Sequence, residues 1–186
     1  MATYEFVVHF IGPAGGDVLI NRLYEAGWDD ATIAFDAWEA GGEGFAEFDR
    51  ESSSAIQAMV HAVMQGEKCG LKATRISDDR VTLGQIAERI GQTLASVDHY
   101  RKGVRGPGGF PEPVVPRERA ALWSWAEVAE WLHEAGIAEI SAEDAEAARA
   151  AQIVTLQLRL REEVAALKSV EDRQALCNLT SFPIAS

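Results

Sequence analysis

The chain is short of cysteine, of positive charge and of long apolar runs, and each shortage removes a class of protein. Cys69 and Cys177 are the only two cysteines among 186 residues. They carry no framework spacing, so a disulfide-stapled fold is excluded and two reduced cytosolic thiols are expected. His9, His61, His99 and His133 are scattered, and no Cys/His spacing suits zinc, so no metal is expected. The apolar runs are short and broken by charge, so no membrane span is expected. The opening MATYEFVV lacks a basic stretch followed by an apolar core, and no signal peptide is expected there. These readings together point to the cytoplasm. Lys and Arg number 17 against 29 Asp and Glu, for a formal net charge of -12, which opposes non-specific contact with nucleic acid.

What remains is an ordinary globular composition, 47% hydrophobic and 25% charged, in a length that fits one domain or two small ones. The charge is unevenly spread. Residues 1–71 hold 3 basic and 12 acidic side chains, residues 72–119 hold 9 and 6, and residues 120–186 hold 5 and 11. The three nets are therefore -9, +3 and -6, and only the middle segment is basic.

The first 77 residues predict alternating strands and helices. Residues 4–11 read as a strand rich in β-branched and aromatic side chains. The Gly-rich stretch 12–16 breaks it, and lacks the Lys and the spacing of a phosphate cradle. Asp17 is placed to cap a helix over 18–26, with Val18, Leu19, Leu23 and Tyr24 among its apolar positions. Strands follow at 31–35 and 44–49, although Gly44 and alternating charges also allow a loop at the latter. The serines at 52–54 start a second helix with Ile56, Met59, Val60 and Val63 on one face, broken at 66–70. A fourth strand covers 71–76. The order β-α-β-β-α-β predicts an α+β fold, a ferredoxin-like sandwich over 1–77 with both helices on one face of an antiparallel sheet. The charge of -9 over residues 1–71 disfavours RNA binding. It is expected to bind a protein partner or a small-molecule effector, or only to assemble a dimer.

Ser77 to Arg80 is a short polar linker. A helix over 81–90 opens on Thr82 and turns Leu83, Ile86, Ala87 and Ile90 to one side. Gly91 makes a sharp turn, and Thr93 caps a second helix that Gly103 ends. Val97 and Tyr100 face inward against Ile86 and Ile90. Ala95, Ser96, Asp98, His99, Arg101 and Lys102 are left for the outer surface. Two short helices joined by a tight turn, the second exposing small and polar residues, fit a DNA major groove.

Residues 81–135 resemble the winged helix-turn-helix of the MerR and phage excisionase superfamily. The resemblance rests on Thr82, Ile86-Ala87, Gly91, Thr93, Val97 and Tyr100. It continues through Phe110-Pro-Glu-Pro-Val114, Arg117 and Arg119, then Trp125, Val128 and Trp131-Leu132. It covers about 55 residues, and its ordered succession is more specific than a lone helix-turn-helix would be. It implies a DNA-binding domain over 80–138. The second helix would enter the major groove, capped by Thr93, with Ala95, Ser96 and His99 near base edges. Tyr100, Arg101 and Lys102 would hold phosphates, and Arg117 and Arg119 would sit on the wing. Many relatives carry an Arg beside the aromatic residue, where this chain has Asp98 and His99. The loop 103–109 is longer than usual, and either carries Arg105 to a phosphate or is slack.

From Ser141 the chain turns rich in Ala and Glu. Ser141 and Asp144 predict a capping box opening one long helix to about residue 167, within a C-terminal segment 141–170. Ile153, Leu156, Leu160 and Leu167 recur at heptad-like spacing beside a stripe of Val154, Leu158 and Ala165. Such a helix is expected to pack on its own domain and on a second chain. The tail from Thr180 is expected to be loose or to lie on a neighbour. Asp29, Asp30, Asp36 and Glu39 lack a nucleophile or base partner, so no enzyme and no cofactor are expected. The sequence thus predicts a sequence-specific, double-stranded-DNA-binding transcriptional regulator acting as a homodimer. The competing expectation is an antitoxin or adaptor whose acidic N-terminal domain masks a protein partner, with the helix-turn-helix serving autoregulation.

Overall fold

Tyr4, Phe6, Val8 and Phe10 alternate with exposed or half-buried residues along β1 (Ala2–Gly12), and this period of two puts one face of the strand in the core. With β2 (Ala31–Phe35), β3 (Gly42–Ser52) and β4 (Lys72–Ile76), β1 forms an antiparallel sheet in the order β2-β3-β1-β4. The computed structural model describes residues 1–37, 39–77, 80–117 and 121–179. Arg119, Asp78, Asp79, the tail from Thr180 and the side chain of Cys177 lie outside the described residues. Both long strands outrun their expected limits, and the segment around Gly44 is strand throughout. Phe6 and Phe48 stack across their shared pair with centroids 5.0 Å apart, and Trp28 meets Phe48 edge-on at 5.1 Å.

Two helices in this first part depart from the expected limits. α1 (Gly16–Glu25) begins at Gly15 with no side-chain cap, so Asp17 lies in the first turn and is not the N-cap. Only Leu19 and Leu23 are buried there, while Val18 and Tyr24 are exposed. α2 (Ala55–Lys68) starts on the expected serines, Ser54 accepting from the Gln57 backbone N–H, but runs straight through Gly66. A Cβ on Gly66 would meet Trp28 Cζ2 at 2.6 Å, so this glycine makes room for the indole and does not end the helix. Trp28 then donates to the Ala62 carbonyl at 3.0 Å. The core face of α2 is Ala55, Ala58, Met59, Ala62, Val63 and Gly66, which leaves Ile56 and Val60 exposed, against expectation.

The middle of the chain holds β5 (Arg80–Val81), α3 (Leu83–Arg89), α4 (Leu94–Arg101), β6 (Trp123–Ser124) and α5 (Trp125–Glu134). Val81, Ile86, Ala87, Val97, Trp123, Val128 and Leu132 form a second, smaller core. α6 (Ala142–Ala166) opens on the expected capping box of Ser141 and Asp144. It joins the two cores. Thr155, fully buried, accepts from the Ile76 backbone N–H at 2.9 Å and donates to the Ile76 carbonyl at 3.2 Å. This single hydroxyl satisfies both backbone groups of Ile76 on the outer edge of β4. Further along the same helix, Arg149 pairs with Glu130 of α5 and Gln152 donates to Ser124 at 2.9 Å. Val154 and Leu158 pack inward as expected, whereas Ala165 is exposed. α7 (Val170–Leu179) was not foreseen. Ser169 Oγ accepts from the Asp172 backbone N–H at 3.1 Å at its start.

Candidate nucleic-acid interface

Hydroxyl caps define both short helices of the middle segment. Thr82 and Gln85 make a reciprocal capping box on α3. Thr93 accepts from the Ser96 backbone N–H at 3.2 Å, and its hydroxyl lies 3.0 Å from that of Ser96. Between the helices Gly91 adopts φ +62°, a left-handed conformation that glycine takes without strain. Val97 and Ile86 are fully buried, and Ile90 packs half-buried against the same core. Ala95 and His99 lie one turn apart on the opposite, exposed side of α4, with Lys102 as its C-cap. Ser96 is half-buried and partly committed to the cap.

Tyr100 departs from its expected role. It is 3% exposed, its hydroxyl donates to Gln92 Oε1 at 3.0 Å, and its ring packs 5.8 Å from that of Trp131. With its oxygen directed to Gln92 it braces α4 from within. The loop after α4 is not slack. The Val104 and Arg105 backbone N–H groups donate to the His99 carbonyl, and the Trp131 indole donates to the Gly108 carbonyl at 2.9 Å. Arg105 stays exposed, its guanidinium 5.5 Å from the Tyr100 ring centroid.

Val115 and Leu122 exchange backbone hydrogen bonds of 3.1 and 3.0 Å in an isolated antiparallel bridge, and Arg117, just after Val115, is exposed. Trp123 is buried behind it and donates to the Pro111 carbonyl at 3.1 Å, which fixes the proline-rich lead-in. A groove of about 820 Å³ runs between α4 and this bridged segment. Arg101 and Arg117 line it together with Leu83, Leu94, Glu112 and Pro116. The structure therefore brings Arg101 and Arg117 to one groove, and leaves Ala95, His99 and Lys102 around the outer side of α4.

Sequence reading missed what Asp98 does. Its carboxylate pairs with Arg101 at 2.6 Å and with Lys102 at 2.5 Å. Hydrogen bonds first from Lys102 and then from Arg101 hold it below the usual carboxylate range. The signal was present as i,i+3 and i,i+4 spacing on one helix. Leu94 and Gln92 were also passed over, though the first is an exposed leucine on a short polar helix and the second sits between two caps.

Among the described residues no group of three or more His, Cys, Asp or Glu is placed to hold a metal ion, and no helix is long and apolar enough to cross a membrane. The chain matches no protein-family model, no curated protein and no solved structure.

Proposed function

We propose that this chain is a non-enzymatic, sequence-specific DNA-binding regulator that acts as a homodimer. In this reading residues 1–77 are a ferredoxin-like sandwich and residues 80–138 a winged helix-turn-helix of the MerR and excisionase kind. The observation that carries it is the two-sided character of α4. Val97 and Tyr100 are buried, while Ala95 and His99 form a small, polar outer face ending on Lys102, at a helix length and turn that suit a major groove. Arg117, across the groove from Arg101, supports a backbone contact by the wing. Thr93, Ser96 and Arg105 border the same surface. One short helix and one wing make few contacts, so operator-level affinity calls for two-fold pairing. The test is anisotropy of the full chain on DNA from its own locus across about 50 to 200 mM salt. Log affinity should fall linearly with log salt, and His99→Ala with Lys102→Ala should weaken binding at least tenfold. Equal binding by the double variant would show that α4 is not the reading element.

One observation favours the second reading, an antitoxin or adaptor. On the sheet face opposite α1 and α2, Glu5, Glu47, Asp49 and Glu51 are exposed, the first three lining a cavity with Arg89 and Trp125, and Phe45 and Ile11 are exposed further along the same strands. That surface suits a basic protein partner. Under this reading a basic protein co-purifies with the full chain and is lost when Glu47→Lys and Asp49→Lys are combined.

A further inference from the structure

α2 and α6 lie side by side and run in the same direction. At their N-terminal ends Glu146 Oε1 accepts from the Ala55 backbone N–H at 3.0 Å, and towards their C-terminal ends Arg161 pairs with Glu67. This alignment fixes which residues flank the seam between them. On α2, Ile56, Val60 and Met64 recur every fourth residue on the side towards α6 and solvent. On α6, Ile153, Leu156 and Leu160 recur at three and four on the face opposite the buried Ala151, Val154 and Leu158, with Ile153 nearest α2 and Leu156 turned from it towards solvent. The first five of these are between 36 and 54% exposed, and Leu160 is half-buried.

The other exposed large apolar residues, such as Val18, Tyr24, Val104 and Val170, are spread over separate elements, as on any protein surface. The α2–α6 residues are different because they lie on two neighbouring helices that run in parallel. Their five most exposed side chains present roughly 400 Å² of apolar surface, the size of the largest patch on a typical monomer, which is often functional. A standard interface buries about 800 Å² per partner, and the apolar share in a homodimer is about two thirds. The strip with Leu160 and half-buried Val164 beside it therefore supplies most of what one protomer must bring. It fits a copy of itself, since a two-fold axis through the seam would set one apolar strip against another.

We infer that the face shared by α2 and α6 is the interface with a second copy of this chain. The inference rests on the dimeric reading above and goes further in assigning the surface. It unites the N-terminal sheet domain and the C-terminal helix in one contact. It also leaves α4 and Arg117, which belong to the middle segment, outside that contact.

Sedimentation equilibrium of the full chain, with mass followed against concentration, tests it. The 20.2 kDa chain should sediment at twice that mass at tens of micromolar. Met64→Asp with Leu156→Asp should give a monomer that keeps its far-ultraviolet helical signal. The milder pair Met64→Gln with Ile153→Gln should weaken association at least tenfold and guards against misfolding of the first. Val18→Asp with Tyr24→Asp on α1 should remain dimeric. Dimers in both strip variants would overturn the assigned face while leaving the dimer in place. A wild-type monomer throughout the range would overturn the dimeric reading and this inference together.

Discussion

Asp98 lies one turn before Lys102 on α4 and holds its ammonium nitrogen at 2.5 Å, while also taking the Arg101 guanidinium at 2.6 Å. The residue that looks most hostile to DNA in the sequence is thus the partner of both cations at the end of the helix. Two cations and one anion leave a local charge of +1 at the end of the helix. In the proposed DNA-bound form a phosphate would have to displace or share with Asp98 before it gained either cation, which would lower affinity for DNA of any sequence.

Replacing Asp98 with Asn should therefore raise affinity for non-specific duplex DNA several-fold and steepen the salt dependence by about one ion. Anisotropy on an unrelated duplex across salt concentrations reads both quantities. Unchanged affinity and slope would mean that Arg101 and Lys102 do not meet phosphate.

Thr155 should be a stability residue out of proportion to its size. Thr155→Val keeps the shape but leaves the Ile76 N–H and carbonyl without partners in a fully buried place. The expected loss is about 1–3 kcal/mol by urea unfolding, and Thr155→Ser should recover part of it. A loss below a few tenths would show that the edge of β4 does not depend on this hydroxyl.

Gly66→Ala sets helix propensity against packing. Alanine is favoured by about 1 kcal/mol in a helix interior. Its Cβ would stand 2.6 Å from Trp28 Cζ2, and Trp28 is wedged against Phe48 and Phe10. Overpacking costs about 1–3 kcal/mol, so the variant should melt at a lower temperature. A rise in melting temperature would mean that the indole moves aside freely.

The helix ends of this protein were legible in its sequence wherever a hydroxyl or a glycine carries the signal. Thr82, Thr93, Ser54, Ser141, Gly91 and Gly103 act locally, within a turn of where they stand. The element order over residues 1–77 and the inward positions Val97, Ile86, Val154 and Leu158 were legible from periodicity. What was not legible depends on contacts distant in sequence. Gly66 reads as a breaker until Trp28, 38 positions earlier, is known to lie against it. Thr155 reads as an undistinguished polar residue until β4 is placed beside it. Tyr100 reads as inward by its ring, as it is, but that its hydroxyl also turns to Gln92 depends on where Gln92 lies. Ile56 and Val60 read as core because the pattern cannot show that alanines suffice to pack α2 on the sheet.

Acid should loosen the join between α5 and α6. Hydrogen bonds from Arg149 hold Glu130 below the usual carboxylate range. A lowered folded-state value contributes stability that is present above the unfolded value of about 4.3 and is lost as pH falls through the folded one. The pair is partly exposed, so solvent screening keeps the contribution small. Glu130→Gln should flatten the dependence of the urea midpoint on pH between about 5 and 3 relative to the parent chain. Parallel curves would show that this pair does not couple proton binding to folding.

The most direct measurement is selection of duplex DNA from a random library by the full chain, followed by affinity measurement on the enriched sequence. The account predicts a two-fold symmetric motif, bound with an affinity that falls steeply with salt and drops at least tenfold in His99→Ala with Arg117→Ala. A library that returns no enriched sequence, bound no better by the parent chain than by that variant, would contradict it.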